Sequence, residues 1–129
     1  MKQSFKPQGY ASVSAYIMVD GAQQVIDFLT DVFDAKQLRR FDAPDGSVTH
    51  VEVQIDDTVV MFSDASQDVP AFPVWLHVYV PDVDATYQRA LDTGAPSVKP
   101  PDQQDGIDRR AAVKDPAGNT WWIATQLPQ

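Results

Sequence analysis

Two histidines, one glutamate and no cysteine carry most of the reactive chemistry available to this chain of 129 residues. His50 and Glu52 stand two residues apart in the run "VTHVEVQI", where Val51, Val53 and Ile55 alternate with His50, Glu52 and Gln54. Strand side chains point alternately to opposite faces, so His50 and Glu52 share the face that the valines leave. An imidazole placed there can act as a general acid or base, with the carboxylate orienting it or holding a cation. A solvent-facing pair at a sheet rim is the other reading of the same spacing. His77 follows Trp75 by two residues in "VWLHVYV", so that pair shares a face too. His50, Glu52 and His77 together supply the donors of a two-histidine, one-carboxylate site for iron or another divalent metal, provided the fold gathers them. A structural, hydrogen-bonded role is the alternative for His77.

Apolar residues offer a second kind of chemistry. Trp75, Trp122 and Met61, with Phe62 and Tyr79, would make an aromatic and thioether lining suited to flat ligands, or would simply fill the core. The segment "DPAGNTWWIAT" sharpens the choice, because consecutive Trp121 and Trp122 in a strand must face opposite ways. No Ser-His-Asp order, phosphate-binding glycine loop or dinucleotide fingerprint is present. The lack of cysteine excludes disulfides, thiolate zinc sites and cysteine nucleophiles.

The elements that would position these residues are written twice. "SVSAYIMV" reads as a strand and "DGAQQVIDFLTDVF" as a helix behind Asp20 as N-cap, its apolar residues recurring at helical spacing. Residues 37–41, "VTHVEVQI" and "TVVMFS" follow as strands. After "SQDVPAFP" the order restarts, with "VWLHVYV" as strand and "DVDATYQRALDTG" as helix, Asp82 being its N-cap and Gly94 lying just past its end. A proline-bearing edge strand and the pair "DRRAAVKD" and "NTWWIATQ" complete the second set. Asp20 to Asp82 and Thr58 to Thr120 are both separations of 62 residues, which indicates internal duplication. We therefore expect an α+β fold in a single domain over residues 1–129, with β-α-β-β-β modules at about 10–66 and 72–127.

Ten basic against eighteen acidic residues give a net charge of −8, which opposes binding to nucleic acid and to anionic membrane surfaces. The charge is compatible with a cationic small molecule. The first ten residues lack the apolar core of a secretory leader, and no apolar run is long enough to span a bilayer, so a cytoplasmic location is expected.

The paired modules, with "VDGAQQVIDFLTDVFDAK", "HVEVQIDDTVVMFSD", "VYVPDVDATYQRALDTGA" and "VKDPAGNTWWIAT", resemble the vicinal oxygen chelate superfamily of glyoxalases, bleomycin-resistance proteins and extradiol dioxygenases, in particular its PhnB-like branch. The resemblance implies a curved, cup-shaped mixed sheet with helices on its outer face, a small organic ligand in the cup, and a homodimer. Metal-dependent members carry His, Gln or Glu ligands on the first and last strands of each module. Here the matching positions hold Ser14, Trp75, Val60 or Met61, and Trp122, so the resemblance implies no metal at the usual site. It also assigns Trp122 to the cup and Trp121 to the helix side, and likens Arg109 to an arginine at the cavity mouth that would pair with a ligand anion. Ligand contacts are thus expected from Trp75, Trp122, Met61, His77 and Arg109. The expected function is small-molecule binding, with antibiotic sequestration as one version. The alternative is an enzyme using His50 and Glu52, metal-dependent or purely acid-base, of lyase, isomerase or dioxygenase type, on a small oxygenated substrate.

Overall fold

The computed structural model describes residues 4–129. Residues 1–3, where the expected domain begins, lie outside the described part. The first module runs β1 (Tyr16–Val19), α1 (Ala22–Phe33), β2 (Lys36–Asp42), β3 (Val48–Ile55) and β4 (Thr58–Asp64). The second runs β5 (Trp75–Tyr79), α2 (Val83–Asp92), β6 (Ser97–Asp102), β7 (Asp108–Lys114) and β8 (Thr120–Gln126). Each module forms a four-stranded mixed sheet, ordered β1-β4-β3-β2 and β5-β8-β7-β6, with the first strand parallel to the last. The prolines of β6 fall on a sheet edge, where a missing N–H costs no ladder bond.

One helix covers one face of each sheet. Ala22, Val25, Ile26, Phe28, Leu29 and Val32 form the buried stripe of α1, and the two helices also touch each other. Their covered faces share one core, in which Phe33 of α1 meets Trp121 of β8 with ring centroids 5.3 Å apart. Arg89 of α2 reinforces the join: its Nε and Nη2 donate to the carbonyl of Val32 at 3.3 and 3.2 Å. This places a cation on a last-turn carbonyl at the negative end of the α1 dipole.

Two carboxylates replace local capping with longer connections. Asp20 was the expected N-cap of α1, but Gly21 occupies that position and makes no side-chain cap. Instead Asp64, at the end of β4, accepts the backbone N–H of Ala22 at 2.8 Å on one oxygen and that of Val48 at 2.7 Å on the other. The strand that ends beside the helix start thus supplies the acceptor that Asp20 does not. In α2 the expected cap is present, Asp82 accepting from the N–H of Ala85 at 3.1 Å.

Asp115 organises the turn before β8. Its Oδ1 accepts the N–H groups of Ala117 and Asn119, and its Oδ2 accepts from Asn119 Nδ2 and, at 2.9 Å, from Trp121 Nε1. Trp121 is 2% exposed, a large apolar ring whose one polar atom is satisfied inside the core. Trp121→Ala should therefore destabilise the fold by ~3 to 5 kcal/mol. Urea unfolding followed by far-UV circular dichroism would check this, and a loss below about 1 kcal/mol would contradict the assigned packing.

Candidate functional site on the open sheet faces

The face of each sheet away from its helix carries the residues singled out above. In the first module Tyr16, Met61 and Glu52 stand side by side across β1, β4 and β3, each in register with the next. His50 lies two residues along β3, opposite Phe41 of β2. Parity is the reason: Val51, Val53 and Ile55 turn to the buried side, leaving His50 and Glu52 on the open face.

Glu52 is nevertheless only 2% exposed, because polar neighbours cover it. Arg39 grips both carboxylate oxygens, Nε donating to Oε1 at 2.9 Å and Nη2 to Oε2 at 3.3 Å. Tyr10, from the segment preceding β1, donates its hydroxyl to Oε1 and lays its ring 5.3 Å from the Arg39 guanidinium. His50 Nε2 lies 2.9 Å from Oε2, and His50 Nδ1 lies 3.3 Å from the Tyr16 hydroxyl. Burial pushes the Glu52 carboxyl up, but the hydrogen bonds from Arg39, His50 and Tyr10 outweigh it and bring the group down from its ordinary 4.5 to about 2. The same carboxylate pushes the Tyr10 phenol up.

The open face of the second module is aromatic. Trp75, His77 and Tyr79 alternate along β5 with Leu76 and Val78, and Trp122 of β8 stands opposite His77. The rings of Trp75 and Trp122 are 5.6 Å apart at 58°, and those of His77 and Tyr79 are 4.8 Å apart, edge to face. Trp75 is 76% exposed. The Trp122 Nε1 is buried without a hydrogen-bond partner among the described residues. A second buried carboxylate, Asp108, accepts from Tyr79 Oη at 2.9 Å and from Arg110 Nη2 at 2.8 Å. Burial, then the charge of Arg110, pushes the His77 imidazole down, with Asp108 opposing.

The structure thus brings His50 and Glu52 together, and separately Trp75, Trp122 and His77. Met61 sits among the first group. It does not unite His77 with His50 and Glu52: among the described residues no three His, Asp or Glu side chains gather as a metal-holding group. Arg109 departs from expectation. Paired with Thr125, it falls on the helix side and makes a bidentate contact with Asp84 of α2 at 2.8 and 2.9 Å, while the next residue, Arg110, takes the open face beside Ala124. Ser14 lies two residues ahead of β1 rather than within it. A cleft of about 1090 Å³ opens elsewhere, between the end of α1 and the module-two residues Tyr79, Arg89 and Asp108.

A family model described as the Glyoxalase/Bleomycin resistance protein/Dioxygenase superfamily matches residues 10–123. The chain belongs to that superfamily. An uncharacterized protein of Mycobacterium bovis is 37% identical over 124 residues, covering 85% of this chain and 80% of that relative. Among solved structures, a putative 3-demethylubiquinone-9 3-methyltransferase, PhnB protein, from Bacillus cereus superposes with a TM-score of 0.72 at 16% identity, covering 89% of this chain and 99% of its own. TnmS3, an antibiotic binding protein from Streptomyces sp. CB03234, superposes with a TM-score of 0.70 at 20% identity, covering 92% and 100%. Two helices and two four-stranded mixed sheets without a closed barrel are the cup-shaped arrangement of the glyoxalase/bleomycin-resistance superfamily. Among the described residues no helix is long and apolar enough to cross a membrane.

Sequence reading missed Tyr10, Tyr16, Arg39, Phe41, Asp108 and Arg110. Parity along β1 carries a signal for Tyr16, two residues from Ser14, whereas the open-face placement of Asp108 and Arg110 comes only from the pairing of β7 with β8. Tyr10 carries none, because it reaches Glu52 from an irregular segment.

The lowered pKa of Glu52 makes stability depend on pH. A carboxyl depressed on folding contributes fully above its unfolded value of about 4.5, and that contribution is lost as pH falls toward 2. Wild-type protein should lose on the order of 2 to 3 kcal/mol through this window from Glu52 alone. Glu52→Gln should be less stable at neutral pH and should lose less between pH 4.5 and 2. Thermal melts across that range would check it, and parallel profiles for the two proteins would rule it out.

Proposed function

We propose that this superfamily member binds a flat, cationic small molecule against Trp75 and Trp122, and that binding itself, as in antibiotic sequestration, is its function. The observation that carries this reading is the contact between the two indoles, at positions that the family resemblance matches to the ligands of metal-dependent members. An indole nitrogen is a donor with no lone pair to offer a cation, so these residues do not fit a metal at the usual site. They do fit a stacked aromatic ring. The net charge of −8 favours a cationic guest, and the likeness to an antibiotic binding protein is in keeping with it.

A closed binding cavity requires a second copy of the chain in this reading. Phe41, Trp75 and Tyr79 expose large apolar surfaces on the open faces, and a homodimer that brings two such faces together would enclose them. Sedimentation equilibrium should then return twice the 14.3 kDa of one chain.

The contact between His50 and Glu52 favours a second reading, an acid-base enzyme acting on a small oxygenated substrate. It is separable from the first by assay. Under the binding reading, cationic planar compounds should quench tryptophan fluorescence saturably and be recovered unchanged. Trp122→Ala should weaken them by ~1 kcal/mol or more while leaving the fold intact. Turnover abolished by His50→Gln would establish the enzyme instead, and compounds that bind Trp122→Ala and wild type alike would end the indole assignment.

A further inference from the structure

The first module's open face holds a site that the indole reading leaves unused. We infer that the Tyr16 hydroxyl is an acceptor site for a protonated amine, its hydrogen turned inward by the Glu52–His50 pair behind it. This rests on the small-molecule reading above and adds to it the chemical group that the ligand presents.

The orientation follows from counting hydrogens. Ionised Glu52 can only accept, and its Oε2 lies 2.9 Å from His50 Nε2, so that nitrogen carries the imidazole hydrogen. In the neutral tautomer that the inference requires, Nδ1 keeps a lone pair, 3.3 Å from the Tyr16 oxygen. Tyr16 therefore donates inward to Nδ1. What its oxygen offers outward is lone pairs alone, on a residue that is 53% exposed. Arg39 and Tyr10 hold Glu52 in place, and the charge of Arg39 is balanced by the carboxylate that it grips.

The surroundings favour a cation over a neutral donor. Tyr16 and Phe41 stand with ring centroids 5.4 and 6.1 Å from that of His50, and both are exposed. Aromatic faces attract ammonium groups, and the chain's net charge of −8 attracts them from a distance. A carboxylate or phosphate would meet lone pairs and an acidic protein. Met61, between Tyr16 and Glu52, gives an apolar contact for the carbon skeleton of the amine.

The test uses the full chain with 2-phenylethylammonium as probe and 3-phenylpropionate as the anion of similar size. Long-range ¹H–¹⁵N correlation spectra should show His50 as the Nε2–H tautomer. The ammonium should shift the side-chain resonances of Tyr16 and His50 saturably, and the carboxylate should not. Tyr16→Phe keeps the ring and removes only an exposed oxygen, so it should fold as wild type and bind the ammonium about fivefold more weakly or worse. Tyr87→Phe, on α2, where the hydroxyl meets only the exposed Ser97 hydroxyl, should leave the affinity unchanged. A hydrogen on Nδ1, in the other tautomer or in an imidazolium, a smaller loss in Tyr16→Phe, or equal binding of the carboxylate would overturn the inference. If planar compounds still quench tryptophan in a Trp122-dependent way while the ammonium fails, the inference falls alone. If neither binds, the small-molecule reading falls with it.

Discussion

Asp115 fixes the geometry on which the second module depends. A buried carboxylate is costly unless its lone pairs are met, and here four N–H groups meet them, two from the turn backbone, one from Asn119 and one from Trp121. The consequence spreads along the chain. Asn119, held by Asp115, uses its own Oδ1 to accept the N–H of Val74, directly before β5. The start of β5 and the start of β8 are thus tied through one side chain, and the parallel register that sets Trp75 beside Thr120 and His77 beside Trp122 follows. With Trp121 drawn inward to Asp115, alternation leaves Trp122 no choice but the open face. In the first module Asp64 does comparable work, joining the starts of α1 and β3.

Much of this fold is legible in the sequence because it is written in periods. Val51, Val53 and Ile55 alternate, α1 repeats its apolar residues at helical spacing, and the two halves match closely. What sequence does not show is where isolated polar groups find partners. Asp20 looked like a cap, yet the acceptor came from Asp64, more than forty residues away. Arg109 and Arg110 are chemically identical neighbours, and only the pairing of β7 with β8 decides that the first reaches Asp84 and the second the open face. His50 and Glu52 were legible as a pair because two residues of strand suffice. Their enclosure by Tyr10 and Arg39 was not, because it depends on an irregular segment and on a strand with register shifts.

The two modules solve one electrostatic problem with different residues. Each buries a single carboxylate on its open face, Glu52 in the first and Asp108 in the second, both 2% exposed. Each satisfies it with an arginine and a tyrosine, Arg39 and Tyr10 in one case, Arg110 and Tyr79 in the other. The strand pairing shows that these are not equivalent positions. On the open faces Met61 pairs with Glu52 of β3, whereas Trp122 pairs with Ala112 of β7, so Asp108 does not occupy the place of Glu52. Burying a charge on a sheet whose far side is already committed to a helix favours a guanidinium and a phenol as partners, because both reach across neighbouring strands with apolar bodies.

The strict separation of faces has a consequence for how such a protein changes over generations. Because the helix-side core holds the fold, exposed residues on the other side of the same strands, such as Trp75 and Phe41, can be exchanged with little penalty. Lineages descended from this chain can therefore wander widely in what they recognise while keeping one scaffold, and the tolerance for that drift resides in the alternation of the strands themselves.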